Sequence, residues 1–454
     1  MLLKKIMIGL GLFGLSQTTF AKLDLELPDL DLPTSYSSPQ TTVNQTQRLK
    51  TLRKLRGHYS VIEDPELNRW LRHLGNKISR QSSVHHKVSF LLVKNPEINA
   101  FATEGGVIVI NSGLVLHTST ESELAAVIAH EIAHVSQNHL SRIRADSKRH
   151  IIGTGAAILA GIVAGTQNPN AGSAIITTAM AGQQHKALSF SREMESEADR
   201  VGLRLLSQAG FRPSGMPDFM AKLDRLNDST NAQLTKYLLT HPLSIDRLSD
   251  TRARANRLPN RGHESIDYLY AREKLRAIDT RSIVSTGRIP PAVTQYSKAQ
   301  KFLARSQYRQ ALQVLGVQAQ RLPQLLAIAK ALNGTRQYQQ TVNLLQPHIR
   351  TYIGEPAILV PLCNALVSLG RADEAWKHIN TVVPTEDTSL EFFEVKQEVA
   401  KHSRHTGEAF IAAAQRNIRI GEVARAKQQL QQAIKLSSVS AHEVAKIQRL
   451  LAHL

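Results

Sequence analysis

TESELAAVIAHEIAHVSQNHL, residues 120 to 140, sets the architecture of the first half of this chain. Thr120 with Glu123 three residues later forms a capping box, and the good helix formers that follow predict a helix running to about Leu140. His130-Glu131-Ile132-Ala133-His134 therefore lies inside a helix. A spacing of four puts both imidazoles on one face, one turn apart, where they can share a metal. Glu131 sits beside the first imidazole, placed to act as general base on water at that metal. Hydrolytic zinc chemistry needs this arrangement, but two histidines leave zinc one protein ligand short of the usual three.

The missing ligand is sought in a second helical stretch, SREMESEADRVGLRLL, residues 191 to 206. Glu195 and Asp199 are four residues apart and share a helix face. Glu195 can complete the metal set, while Asp199 can accept a hydrogen bond from a ligating imidazole. The reading is one Zn2+ per chain, held by His130, His134 and Glu195. Glu193 and Glu197 read as a solvated face, and His139, His150 and His185 as surface or core histidines.

The chain has 454 residues, enough for two or three domains. With 42% hydrophobic and 20% charged residues it reads as globular, which excludes a disordered chain and a multi-span membrane protein. Residues 1–21 read as a secretory signal: Lys4 and Lys5 form the positive region, Ile6 to Leu15 the apolar core, and Thr19-Phe20-Ala21 the cleavage site. Residues 22–47, with Pro28, Pro33 and Pro39, read as an extended leader. Cys363 is the single cysteine, so no intrachain disulfide and no thiolate metal site can form. The formal charge of +19 falls to +17 once Lys4 and Lys5 are removed. After export such a basic chain can face an anionic membrane or an acidic protein, or can simply solubilise its helix faces. Aromatic residues make up 5% and are not interleaved with basic runs, so no nucleic-acid partner is expected.

Around the two motif helices, DPELNRWLRHLGNKI from Asp64 places Leu67, Trp70, Leu71 and Leu74 at helical spacing, with Pro65 in the first turn. Val88–Val93 and Gly106–Ile110 read as short strands. Residues 151–182 are apolar and rich in Gly and Ala, but the first run ends at TQNPN, short of the roughly 20 residues a membrane-spanning helix needs. They read either as a lid with peripheral membrane or partner contact, or as a buried core hairpin. Beyond residue 290 helical pairs recur. Tyr308, Tyr338 and Ala372 each open a second helix, Pro323, Pro356 and Pro384 each close one, and the spacing brackets a 34-residue tetratricopeptide period. A further pair includes Gly421 to Leu436, and AHEVAKIQRLLAHL reads as a terminal capping helix.

His130-Glu131-x-x-His134 followed by Glu195-x-x-Ala198-Asp199 resembles the gluzincin family that includes HtpX and the CAAX prenyl protease. Asn99-Ala-Phe-Ala-Thr-Glu-Gly-Gly106-Val-Ile-Val-Ile-Asn111 resembles that family's edge strand and the glycines before it. The absence of their membrane helices and the C-terminal repeats make the chain most similar to the periplasmic β-barrel assembly-enhancing branch. The resemblance implies an α+β, mainly helical gluzincin protease domain with a small sheet over 48–289, and an all-α repeat domain over 290–454. It implies a periplasmic zinc metalloendopeptidase acting on unfolded or misassembled envelope proteins, with the repeats docking outer-membrane assembly machinery. Substrate is expected to add as an antiparallel strand near Gly106–Ile110. Thr240-His241-Pro242-Leu243 with Arg247 also matches: the resemblance implies that His241 can take the open metal position and restrain activity, with Arg247 near the active site. Read alone, His241 has a second reading as a loop or capping histidine beside a proline. Ser244 stands where the family commonly has a second proline, and the lone Cys363 means that no disulfide regulation carries over. A rival reading from another class is a chaperone or adaptor whose repeats act while His241 keeps the zinc site closed.

Overall fold

The computed structural model describes residues 39–84, 87–103, 105–143, 191–227, 235–260, 262–279, 289–316, 318–452 and 454, and several of its helices begin where the sequence supplies a cap. Helix α1 (Pro39–His58) begins inside the expected leader, so 39–47 are helical and not extended; Pro39 fits a first turn, where its missing N–H costs nothing. In α2 (Pro65–Ser79) the carboxylate of Asp64 accepts the N–H groups of Glu66 and Leu67 at 3.0 Å each. Strands β1 (Ser89–Val93), β2 (Ala100–Ala102) and β3 (Val107–Asn111) follow, then α3 (Ser112–His117) and α4 (Glu121–Ser136). Thr120 caps α4 by accepting Glu123 N–H, and the Glu123 carboxylate reaches back to Ser119 N–H. The helix stops at Ser136, four residues before the expected end, and Asn138 takes a left-handed φ of 53°. Next come α5 (Arg192–Gln208), α6 (Gly215–Asn227), α7 (Thr235–Thr240), α8 (Ile245–Ala255) and α9 (Ile266–Ile278).

The sheet order is β1-β3-β2, with β1 parallel to β3 (Ser89 opposite Val107) and β2 antiparallel to it (Ala100 opposite Ile110). This corrects the expected substrate edge: residues 107–110 are central and paired on both sides, and the edge strand beside the metal group is β2. One face of the sheet packs with α2, α4 and α5 in a core that includes Leu67, Leu71, Ile108, Ile110, Ile128, Ile132 and Leu206. At the crossing of α4 and α5 a Cβ on Gly202 would lie 3.1 Å from His130 N and Cα. The missing side chain lets the two motif helices approach closely enough to share one site.

The C-terminal helices are α10 (Pro291–Ala304), α11 (Tyr308–Leu315), α12 (Leu322–Gly334), α13 (Tyr338–Leu345), α14 (Pro356–Ser368), α15 (Ala372–Ile379), α16 (Leu390–His402), α17 (Thr406–Ile420), α18 (Val423–Ile434) and α19 (Ala441–Ala452). Five of them, α11, α13, α15, α17 and α18, are entered by the same turn. Two residues before each start lies a left-handed residue, respectively Ser306, Arg336, Gly370, Arg404 and Gly421. Pro323 and Pro356 open α12 and α14 in the first turn and do not close the preceding helices, as had been expected.

These helices bind back onto the first half through buried charge. Tyr296 of α10 donates to Glu66, whose carboxylate, within the first half, lies 2.6 Å from Lys274 of α9. Arg48 of α1 takes Glu386 in a two-point ion pair and donates to Lys87 O, while Lys87 pairs with Asp387 at 3.1 Å. The expected signal at 1–21, the hairpin at 151–182, His150 and His185 lie outside the described residues. Among the described residues no helix is long and apolar enough to cross a membrane.

Candidate metal centre

The middle of α4, the first turns of α5 and the residue after α7 bring together His130, His134, Glu195 and His241, all buried. His130 Nε2 lies 3.0 Å from His134 Nε2 and 3.5 Å from Glu195 Oε2. His134 Nε2 lies 3.2 Å from Glu195 Oε1, and His241 Nδ1 lies 3.0 Å from Glu195 Oε1 and 3.4 Å from His130 Nε2. Zinc–ligand bonds of about 2.0–2.1 Å in a tetrahedron put ligand atoms about 3.3 Å apart, so this donor set has the spacing zinc requires.

Electrostatics point the same way. Burial alone would lower His130, yet Glu195 and Asp199 raise it to about 10, so the pocket strongly favours a cation at that point. Glu195 is pushed up by burial, but His130 and the bonds from three imidazoles hold it well below the usual carboxylate range. His134 is driven well below its ordinary value by burial, which keeps it neutral as a ligand must be.

Each ligating imidazole is held from behind. His130 Nδ1 lies 3.0 Å from Asp199 Oδ1, and Asp199 is itself gripped by Arg247 Nε and Nη2 at 2.7 and 2.9 Å. Arg247 Nη1 lies 2.8 Å from Glu195 Oε2 and donates to the carbonyl of Pro242. The arginine thus ties the acids on α5 to the segment carrying His241. Ser244, at the position where a proline was expected, accepts Arg247 N–H and caps α8. His134 has a support that the sequence reading missed: its Nδ1 lies 2.8 Å from Nδ1 of buried His139, whose Nε2 lies 3.2 Å from Glu197. With Nε2 of His134 facing the metal group, its Nδ1–H donates to His139, and His139 Nε2–H donates to Glu197. Glu197 is not only a solvated surface acid, therefore, and His139 is not an isolated core histidine.

Glu131 is fully buried beside His130. Its Oε2 accepts Ala102 N–H from edge strand β2 at 2.9 Å, while Oε1 makes no hydrogen bond and lies 3.4 Å from His241 Nε2. Burial raises its pKa, and His241 and His130 only partly oppose that shift.

A helix bearing two histidines and a glutamate, crossed by a second helix that adds a carboxylate beside a small sheet, defines a metallopeptidase of the zincin class. Residues 65–255 match peptidase family M48. The chain is 32% identical to the β-barrel assembly-enhancing protease of Escherichia coli K12 over 376 residues, 77% of this chain and 76% of that protein. It is 35% identical to the Yersinia pestis protein of the same name over 328 residues, 71% of this chain and 63% of that one. A shorter likeness, 29% over 182 residues, joins it to the metalloprotease LoiP of E. coli, covering 40% of this chain and 66% of LoiP. The chain belongs to peptidase family M48 and is a zinc-dependent metalloendopeptidase.

Proposed function

We propose that the chain is a periplasmic endopeptidase that cleaves misfolded or misassembled outer-membrane proteins and assists their assembly. The observation that carries this reading is the set of four buried donors at tetrahedral spacing, with Glu131 between them and the edge of the sheet. His130, His134 and Glu195 hold the zinc in this proposal. Zinc, when bound, supplies Lewis-acid polarisation of a peptide carbonyl and lowers the pKa of water at the site. Glu131 takes the proton of the attacking water and passes it to the leaving amine. Asp199 and Arg247 orient His130. An extended substrate pairs with the outward edge of β2, where Ala102 N–H now holds Glu131, so recognition depends on an unfolded backbone more than on sequence.

His241 belongs to the same donor group, and an imidazole in the fourth position excludes water and substrate together. The resting enzyme is therefore restrained until the segment carrying His241 moves. The remaining assignments in this proposal are a signal at 1–21, a protease domain that ends at 289, and tetratricopeptide-like repeats over 290–454. The recurring left-handed turn before five helices supports the last of these. The repeats dock the assembly machinery, and the relatives' names, β-barrel assembly-enhancing protease, favour that partner.

The position of His241 also favours a second reading, an adaptor whose repeats act while the metal site stays closed. Glu131→Gln, with zinc confirmed by elemental analysis, separates the two. Loss of both cleavage and rescue of an envelope defect supports the protease, and full rescue without cleavage supports the adaptor. The same variant captures bound substrates for identification.

A further inference from the structure

Between Asp279 and Glu355 the sequence contains no aspartate or glutamate, against ten lysines and arginines. Helices α10 to α13 all fall in this stretch, so one end of the C-terminal array has no carboxylate of its own. Acids of the first half meet it at Tyr296, Ser297 and Arg321, through Glu66, Glu273 and Asp267. A groove with about 900 Å³ of open space separates the turns into α11 and α13, lined by Ser306 to Gln310 on one side and Gly334 to Arg336 on the other, and no acid lines it. The Tyr308 ring packs on Gly334 so closely that an added Cβ would lie 2.3 Å from it, which fixes the spacing of the two turns. Arg309 and Arg336 are exposed, and no carboxylate among the described residues pairs with either. The next turn of the array is built differently. There α15 begins with Asp373 and Glu374, and Glu374 neutralises Arg371 at 2.7 and 3.0 Å, whereas α11 and α13 have no acid in their first turns.

We propose that this groove docks an extended, acidic segment of a partner protein, with Arg309 and Arg336 taking its carboxylates and Gln307 and Gln310 its backbone. The inference rests on the docking reading of the C-terminal helices and adds the surface and the chemistry of what is docked. Unneutralised charge in a concave surface focuses the field, which raises the local concentration of an acidic segment and its rate of association. A guanidinium holds a carboxylate in a two-point contact, and each glutamine amide offers both a donor and an acceptor to an extended backbone. An anionic membrane has the same sign of charge, but surface binding to a bilayer draws on apolar side chains that enter it among the cations. None of the exposed large apolar residues lines this groove; the one in this acid-free stretch, Ile353, belongs to another turn.

The test uses the full-length zinc-loaded enzyme carrying Glu131→Gln, so that no probe is cut, and two fluorescent peptides of equal length. One is rich in Asp and Glu, and the other has Asn and Gln in their place. Anisotropy is expected to show the acidic peptide bound about ten-fold more tightly, with the difference shrinking as salt rises. Arg309→Glu with Arg336→Glu is expected to remove that difference. Lys435→Glu with Arg449→Glu, the same change of net charge on exposed residues elsewhere in the array, is expected to leave it. Equal affinities for the two peptides, or an equal loss in both double variants, overturn the groove, because net charge alone would then attract the acid. Binding to phosphatidylglycerol vesicles that only the first double variant abolishes, with the two peptides bound alike, assigns the groove to a membrane and overturns the protein partner. Acid-selective binding that the first double variant loses, together with full rescue of an envelope defect by that double variant with Glu131 intact, leaves the groove standing and overturns its use in docking the assembly machinery.

Discussion

Asp199 does two things at once. It accepts from His130 Nδ1, and it neutralises the buried guanidinium of Arg247 in a two-point contact. On spacing alone Asp199→Ala would only weaken zinc binding, by roughly 10- to 100-fold, because such partners orient a ligand without bonding the metal. With Arg247 buried against it the same change also takes away one of the two carboxylates that hold the guanidinium, leaving Glu195, so the loss stays below the about 3–5 kcal/mol of a fully stranded buried charge. Asp199→Ala is therefore expected to lower both zinc affinity and the melting temperature, whereas Asp199→Asn retains more of each. Zinc titration alongside thermal unfolding of metal-free protein separates the two effects. His139→Phe removes the support behind His134 and is expected to weaken zinc by about ten-fold with little change in fold; unchanged affinity would reduce His139 to a packing role. At His241 the expectation has the opposite sign. His241→Ala keeps three protein ligands, and so should retain its zinc while cleaving an unfolded protein faster than the unaltered enzyme. Unchanged or slower cleavage at full zinc content removes the restraint.

Among the elements, α4 begins on an acid that burial disfavours. Glu121 is 6% exposed, and its carboxyl is raised to about 7 by burial, with Glu264 and Asp267 adding to the shift while the Ser265 N–H bond and Lys77 oppose it. A carboxyl whose folded pKa exceeds its unfolded value of about 4.3 binds more protons in the native state between those limits. Stability therefore falls as pH rises from about 4.3 to 7 and is flat above, a loss of at most ~4 kcal/mol. Glu121→Gln keeps an oxygen for Ser265 N–H and removes the titration. Its melting temperature is expected to match the unaltered protein near pH 4 and to exceed it at pH 8; equal melting curves at both values would place Glu121 among ordinary surface acids.

Across the whole molecule the C-terminal helices are joined to the protease core by buried ion pairs between residues far apart in sequence. Arg48 and Glu386 have side chains 6% and 13% exposed, and the Arg48 backbone faces Gly105, whose added Cβ would lie 2.5 Å from Arg48 N. The loop holding Glu386 thus grips the same helix that braces the turn into β3. Arg48→Ala strands Glu386 and is expected to cost about 3–5 kcal/mol, while an apolar pair, Arg48→Met with Glu386→Met, recovers most of it. Hydrogen exchange of residues 390–420 in the two variants reads the docking directly, and equal protection in both would show that the pair does not hold the helices in place.

Residue spacing determined what is local here. Histidines four apart and acids four apart must share a helix face, and Thr120, Asp64 and Ser191 cap the helices that carry or flank them, so both motif helices and their donors were legible from order alone. The tertiary structure decided the rest. On a continuous helix, five residues turn His139 about 140° away from His134; only the left-handed Asn138, which ends α4 early, swings it back beneath that ring. Val107–Asn111 reads as a strand from its β-branched residues, but whether a strand is central or at an edge is set by its nonlocal partners, here β1 and β2. The repeated left-handed turn is hidden because Ser, Arg and Gly all occupy it.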